Sequence, residues 1–244
     1  MSEREIVGER EAAGGREPLR LALISAGTGN PSSTRMLADR IAQKTLDLLR
    51  ESDAPAAVDA VELGPLAVEI ARTTVSGVPS AELQAATRRL AAADGVIAAT
   101  PVYKAGISGL FKSFVDLLDN DLLVAKPVLL AATAGSARHA LVVDEQMRPL
   151  FAYLRALSLP TSVFAGPEDW GAAELGERIE RAAGELSVLL RARVGREIAD
   201  RTWSAHRHEF GGNATRAERS GADVDFESPL MRLATGGSFD PRKP

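Results

Sequence analysis

Residues 19–35 read LRLALISAGTGNPSSTR, and this stretch decides the fold. A short apolar run at 19–24 stops at a loop of Gly, Ser and Thr, and apolar residues at helical spacing then follow from Met36 to Leu49. A buried strand, a loop of small residues and a helix, in that order, form the first unit of an alternating α/β fold. The pattern therefore favours a parallel sheet covered by helices.

The same alternation continues to about residue 196. The pattern predicts four further strands, at residues 58–63, 96–99, 127–132 and 161–165. It predicts four further helices, at residues 81–93, 107–118, 139–157 and 172–194. This arrangement predicts a doubly wound α/β domain: a five-stranded parallel sheet in the order 2-1-3-4-5, with helices on both faces. In such a sheet a ligand binds beyond the carboxyl ends of strands 1 and 3, where the strand order reverses.

The two ends of the chain differ in composition from this middle part. Residues 1–17 mix charges with Gly and Ala, and apolar residues become sparse from about residue 200. We therefore expect a mobile N-terminal arm at 1–17, one domain at 18–199 and a C-terminal extension at 200–244. Two readings of the extension stay open: it is partly disordered, or it docks on its own core or on a neighbouring subunit. The second reading relies on one small apolar cluster, Phe226, Leu230, Met231 and Leu233.

The composition excludes several classes of protein. The 244 residues include no cysteine, so no disulfide, thiolate metal site or cysteine nucleophile can form. A net charge of −4 gives no electrostatic reason to expect nucleic acid as a partner. The first residues lack the apolar segment of a secretory signal, and no apolar run approaches the roughly 18 residues that span a bilayer. We therefore expect a cytoplasmic protein that has no membrane partner.

The stretch at residues 25–35, which we call the first loop, has the composition of a phosphate-binding site. It leads into a helix, whose N-terminus offers free backbone N–H groups and the positive end of the helix dipole. Ser32, Ser33 and Thr34 add hydroxyl donors, and the loop lacks both the lysine of a nucleoside triphosphate loop and the third Gly of a dinucleotide fingerprint. This favours a single terminal phosphate monoester, as in FMN. The alternative is that Ser32 or Ser33 only caps the helix.

Two further loops of small residues follow strands 3 and 4. The second loop, residues 100–112, reads TPVYKAGISGLFK, and the third loop, residues 132–139, reads ATAGSARH. Both lie at the carboxyl ends of their strands, where the first loop also lies. Tyr103 offers a flat face or a hydroxyl group, and the glycines of both loops keep the backbone open. The three loops together indicate one site for a flat heteroaromatic ring that carries a phosphate.

At these motifs the sequence resembles the NAD(P)H-dependent FMN reductases of the flavodoxin-like superfamily. The match is to the branch that supplies reduced FMN to two-component monooxygenases, and it covers residues 19–196. The motifs that look alike lie at residues 25 and 31–35, 93–97, 100–103, 108–116, 126–128, 134–136, 139–141 and 148–150. The resemblance implies an enzyme that transfers hydride from NAD(P)H to the flavin N5. It also implies a homodimer or homotetramer and a flavin-dependent monooxygenase as a possible partner.

The resemblance also implies which residues hold the cofactor. The FMN phosphate would be held by Ser25, Ser32, Ser33 and Thr34. The isoalloxazine ring would rest on Pro101, Val102 and Tyr103, with Gly135 and Ser136 nearby. The sequence departs from many relatives at two positions, because Gly29 replaces an Arg and Lys104 replaces an Asn. Whether Arg35 reaches the phosphate instead is left open, as are the roles of Arg138 and His139.

We assign no catalytic acid or base and no metal ligand, because the bound cofactor would carry the chemistry. The histidine pair at residues 206–208 is better explained as solvated than as a metal site. Two alternatives to the FMN reductase remain: a quinone or azo reductase that uses bound FMN, and a flavodoxin-type electron carrier that is not an enzyme. The modest net charge and the two Tyr and two Trp residues argue against the carrier.

Overall fold

The computed structural model describes residues 17–203, and a seven-stranded sheet forms their centre. The strands are β1 (Leu19–Ser25), β2 (Ala56–Glu62), β3 (Gly95–Tyr103), β4 (Gly106–Ile107), β5 (Pro127–Thr133), β6 (Leu157–Ser158) and β7 (Val163–Ala165). The helices are α1 (Ser33–Glu51), α2 (Leu63–Ser76), α3 (Ala81–Ala92), α4 (Gly109–Asp116), α5 (Arg148–Tyr153), α6 (Ala173–Arg191) and α7 (Val194–Thr202). A π-helix (Val143–Met147) and two 3₁₀-helices (Ala137–His139 and Pro167–Gly171) complete the elements.

The sheet confirms the parallel α/β layout, but the predicted count of five strands is wrong. The order is β2-β1-β3-β5-β6, with β7 also parallel to β5 and the short β4 antiparallel to β3. The predicted fifth strand at 161–165 forms only as β7, and the two-residue strands β4 and β6 were not predicted. Pro160, which lies between β6 and β7, has no N–H to donate to the sheet. The adjacent polar groups bind side chains instead: the Leu159 carbonyl accepts from Arg148 at 2.7 Å and the Thr161 N–H donates to Glu185 at 2.9 Å.

The helices differ from their predicted bounds for local reasons. Helix α2 was not predicted, since several β-branched residues in its sequence, such as Val68, Ile70 and Thr73, have low helix propensity. In place of the predicted helix at 139–157 there are a 3₁₀-helix, the π-helix and α5. Pro149, in the first turn of α5, has no N–H to donate to the turn before it, so the α-helix starts there. The predicted helix at 172–194 ends earlier, and α7 starts after Arg193, which adopts a left-handed φ of 48°.

Apolar cores on both faces of the sheet confirm that helices cover it from both sides. On one face Leu37 and Ile41 of α1 pack with Ile179 and Leu186 of α6. On the other face Phe111 of α4 lies 6.3 Å from Phe151 of α5, measured between ring centroids. The apolar face of α4 therefore belongs to the core.

The predicted domain boundaries remain predictions. Residues 1–16 and 204–244 lie outside the described part, and with them the cluster at 226–233 and the histidine pair at 206–208. Helix α7 runs through residue 199 to Thr202 and is tied to the domain by Arg196, whose guanidinium lies 3.0 Å from the Asp94 carboxylate. Within residues 17–203, none of the helices is long and apolar enough to cross a bilayer.

Candidate functional site

The three predicted loops lie together at the edge of the sheet where the parallel strands end, which we call the carboxyl edge. Strands β1, β3 and β5 are neighbours, and their register places Ser25 opposite Ala99 and Pro101 opposite Thr133. The hydroxyl groups of Thr34 and Thr133 are buried and 2.7 Å apart. This hydrogen bond joins the first loop directly to the start of the third loop.

The first loop folds back onto the N-terminus of α1. Ser32 is the N-cap residue, and its Oγ accepts from the Arg35 N–H at 3.2 Å. A Cβ atom at Gly27 would lie 1.9 Å from the Ser32 Oγ, so any larger residue there would displace the cap. The capping role that the sequence left open for Ser32 is therefore observed, and the exposed Ser33 begins the helix beside it.

The last residue of β1 has a buried polar atom that lacks a partner. Ser25 is 1% exposed, and among the described residues its Oγ has no hydrogen-bond partner. An unsatisfied buried hydroxyl costs about 1–3 kcal/mol, and native proteins commonly satisfy such a group with water or a ligand. Since Ser25 is the first residue of the first loop, this atom fits a phosphate or hydroxyl group bound there.

A tight hairpin forms the second loop. Lys104 and Ala105 connect β3 to β4 with φ values of 51° and 64°, the left-handed conformation that a two-residue type I′ turn requires. The Tyr103 side chain is 55% exposed beside this turn, whereas Pro101 and Val102 are buried. Of the three residues predicted to support a ring, only Tyr103 therefore has an exposed side chain.

The sequence did not single out Gln146, which holds this hairpin in position. Its Oε1 accepts from the Ile107 N–H at 3.1 Å, and its Nε2 donates to the Ala105 carbonyl at 3.2 Å. Gln146 belongs to the π-helix, and a lone Gln in a helical pattern has no signal that distinguishes it. Inside the hairpin, the buried Thr100 Oγ1 accepts from the Ser108 N–H at 3.2 Å.

The third loop leaves the sheet beside the other two. The Ala134 N–H donates to the Ala165 carbonyl at 3.2 Å, which directs the chain away from β5. Gly135 is exposed, Ser136 is half-buried, and a Cβ atom at Gly135 would meet nothing within 4 Å. Arg138 and His139 follow in the 3₁₀-helix at the same edge.

Arg35, the last residue of the first loop, is bound by carboxylates. The Arg35 Nε donates to the Asp39 Oδ1 at 2.8 Å, and its Nη1 donates to the Glu62 Oε1. Partial burial alone would lower the pKa of Arg35, but the hydrogen bonds and charges of Asp39 and Glu62 raise it above its ordinary value. In this structure Arg35 is therefore occupied by two acidic partners.

Two clefts lie near the opposite edge of the sheet, and neither is lined by residues of the three loops. One, of about 360 Å³, is bordered by residues 52–55 and 191–193, and the other, of about 500 Å³, includes Asp94, Lys126 and Arg196. Burial lowers the pKa of Lys126 to about 8, and its ammonium donates to the Leu90 carbonyl at 2.7 Å and the Ala91 carbonyl at 2.9 Å. These bonds cap the end of α3, which is a structural role.

Within residues 17–203, no group of three or more His, Asp or Glu side chains is arranged to bind a metal ion. Of the nine residues predicted for the site, the structure brings all to the carboxyl edge. The structure also places Thr133, Glu62 and Gln146 at this edge. Sequence patterns did not indicate these residues, because their hydrogen bonds join parts of the chain that are far apart in sequence.

Comparisons with known proteins lead to one family. A family model described as NADPH-dependent FMN reductase matches residues 19–171. The NADH-dependent FMN reductase SfnE of Pseudomonas putida is 41% identical over 182 residues, which cover 71% of this chain and 92% of that protein. An FMN reductase (NADPH) of Pseudomonas aeruginosa is 36% identical over 183 residues, which cover 72% of this chain and 95% of that protein.

Solved structures agree with these sequence matches. The crystal structure of an oxidoreductase from Corynebacterium diphtheriae is 44% identical, with a TM-score of 0.71, and the match covers 72% of this chain and 99% of that one. A flavodoxin, WrbA-like protein from Agrobacterium tumefaciens has a TM-score of 0.50 at 20% identity, covering 72% of this chain and 99% of that one. This second likeness concerns the fold alone, which is flavodoxin-like.

Proposed function

This chain belongs to the NADPH-dependent FMN reductase family and is an NAD(P)H-dependent FMN reductase, and from that premise we propose that FMN binds at the carboxyl edge of the sheet. The observation that carries this assignment is the buried Ser25 Oγ at the start of the first loop, which has no partner among the described residues. A ligand that brings polar oxygens to this position satisfies it.

The first loop is the proposed phosphate site. The backbone N–H groups at the start of α1 and the hydroxyls of Ser25, Ser32, Ser33 and Thr34 supply the donors. The absence of a side chain at Gly27 keeps the loop close to the helix N-terminus. All of these donors are uncharged, so the phosphate is held by hydrogen bonds and the helix dipole.

The second and third loops are the proposed ring site. Tyr103 and the backbone of Pro101 and Val102 line one side, and Gly135 and Ser136 line the other. Gln146 keeps the hairpin in place through its bonds to Ile107 and Ala105, so the ring meets a rigid edge. The open space around Gly135 leaves room beside the ring for a second flat group such as nicotinamide.

When bound, FMN supplies the hydride acceptor, and the protein supplies position and electrostatic environment. The described residues of the site hold the phosphate, orient the ring and leave one face accessible to NAD(P)H. We assign no protein acid or base to this transfer, since hydride transfer itself requires none.

We extend the proposal to the partners of the enzyme. The reduced FMN passes to a flavin-dependent monooxygenase, and the uncharged phosphate site suits a cofactor that must leave. The chain forms a homodimer or homotetramer and acts in the cytoplasm. A light-scattering mass near the 25.8 kDa of one chain would contradict the oligomer.

The test is an NAD(P)H oxidation assay with added FMN, run in parallel with a quinone and with an azo dye. We expect added FMN to stimulate NAD(P)H consumption. The variant Ser25→Ala should raise the KM for FMN, while Ser187→Ala, a buried serine on α6 away from the loops, should leave it unchanged. If only the quinone or the dye supports turnover, the quinone or azo reductase alternative replaces this proposal.

A further inference from the structure

Arg35 and Glu62 form an ion pair at the rim of the first loop, and neither residue has a role in the proposed function. Arg35 follows Thr34 directly in α1, and Glu62 ends β2 in register with Ser25 of β1. The guanidinium Nη1 donates to the Glu62 carboxylate across 27 residues of sequence. A charged pair beside the proposed phosphate site changes the electrostatic potential at an anion bound there.

The pair is part of a group of three charges. Asp39, one helical turn after Arg35, accepts from the Arg35 Nε at 2.8 Å. Two of the three guanidinium nitrogens therefore face carboxylates, and the three side chains together carry a net charge of −1. A phosphate at the first loop meets the uncharged donors described above and, close by, this small excess of negative charge.

We propose that Glu62 sets the affinity for the flavin phosphate by holding Arg35 away from it. The inference rests on the proposed function, because it concerns FMN at the same site. It assigns to Glu62 a specificity role: the ion pair lowers the preference for a flavin 5′-phosphate over the same flavin without its phosphate. This arrangement favours the release of FMN after reduction.

The variant Glu62→Gln tests this role, because the amide keeps the shape of the side chain and removes its charge. We expect the Kd for FMN, measured by quenching of flavin fluorescence, to fall about three- to tenfold. Removal of one unit charge a few ångströms from a phosphate at a protein surface has an effect of about this size. The Kd for riboflavin, which lacks the phosphate, should stay unchanged.

Glu69→Gln is the matched control. Glu69 also pairs with an arginine, Arg72 at 3.2 Å, but lies seven residues further along α2. Seven residues of helix are about 10 Å, about one Debye length at ordinary salt, so its charge is largely screened from the first loop. The ratio of the FMN and riboflavin affinities should be that of the wild type.

A double variant, Arg35→Gln with Glu62→Gln, separates this inference from direct binding of the phosphate by Arg35. The double variant has the same net charge as the wild type, so we expect its Kd for FMN within about twofold of the wild-type value. A loss of more than about tenfold would mean that Arg35 binds the phosphate in the wild type, and would overturn the inference.

An unchanged or raised Kd for FMN in Glu62→Gln would also overturn it, provided that the circular dichroism spectrum matches the wild type. Failure of the proposed function has a different result, because the wild type would then bind neither FMN nor riboflavin. Binding of both flavins with no response to Glu62 leaves the proposed function intact and refutes only the role of the ion pair.

Discussion

Replacement of Thr133 by Val removes the hydrogen bond that joins the first and third loops. The Thr34 and Thr133 side chains are 2% and 4% exposed, and their hydroxyls lie 2.7 Å apart. Valine has the same shape as threonine, so the change leaves no cavity but deprives the buried Thr34 hydroxyl of its partner. We expect the free energy of unfolding to fall by about 1–3 kcal/mol, the cost of a buried unsatisfied hydroxyl.

A double-mutant cycle measures this cost: the wild type, the two single variants and the double variant are each unfolded in urea. Thr34→Val should destabilise by a similar amount, and the double variant should lose clearly less than the sum, since it leaves no hydroxyl unpaired. The coupling energy should be about 0.5–1.5 kcal/mol. If the double variant instead loses the full sum of the two single losses, the hydrogen bond does not link the loops.

Three further predictions concern other parts of the site and the core. Gly27→Ala should lower the free energy of unfolding in urea by about 1–2 kcal/mol, because its Cβ displaces the Ser32 cap. Gly184→Ala on α6, where a Cβ meets nothing within 4 Å, should instead raise that free energy by up to about 1 kcal/mol. Gln146→Leu should raise the KM for FMN about fivefold through loss of the hairpin bonds, and Gln84→Leu, which breaks only the 3.2 Å bond from Gln84 to the Pro79 carbonyl, should not. Burial lowers the pKa of Lys126 to about 8 from 10.5, so between these pH values the unfolded chain binds more protons than the folded one. The free energy of unfolding, relative to that of Lys126→Met, should therefore rise by about 2–3 kcal/mol as pH increases from 8 to 10.5. A flat or falling difference in stability across that pH range would contradict the burial of a charged Lys126.

Much of the fold follows from local patterns. The strands β1, β3 and β5 are mostly apolar because helices cover both of their faces, and such runs are recognisable without any knowledge of their neighbours. Helix α2 lacked that signal, since its β-branched residues favour strands and only packing against α4 and the core stabilises it as a helix. The gap between β6 and β7 depends on Arg148 and Glu185, side chains of other elements that bind the backbone of residues 159 and 161.

The alternation of strands and helices, and the edge where three loops of small residues meet, could be predicted from the sequence alone. These features follow from residue type and spacing within single segments. Three contacts could be found only from the folded structure: Thr34 bonds to Thr133 across 99 residues, Gln146 holds the hairpin across 39, and Arg35 is bound by Glu62 across 27. Hydrogen bonds and ion pairs between distant segments depend on how the segments pack, and no periodicity in the chain encodes which polar groups that packing brings within hydrogen-bonding distance.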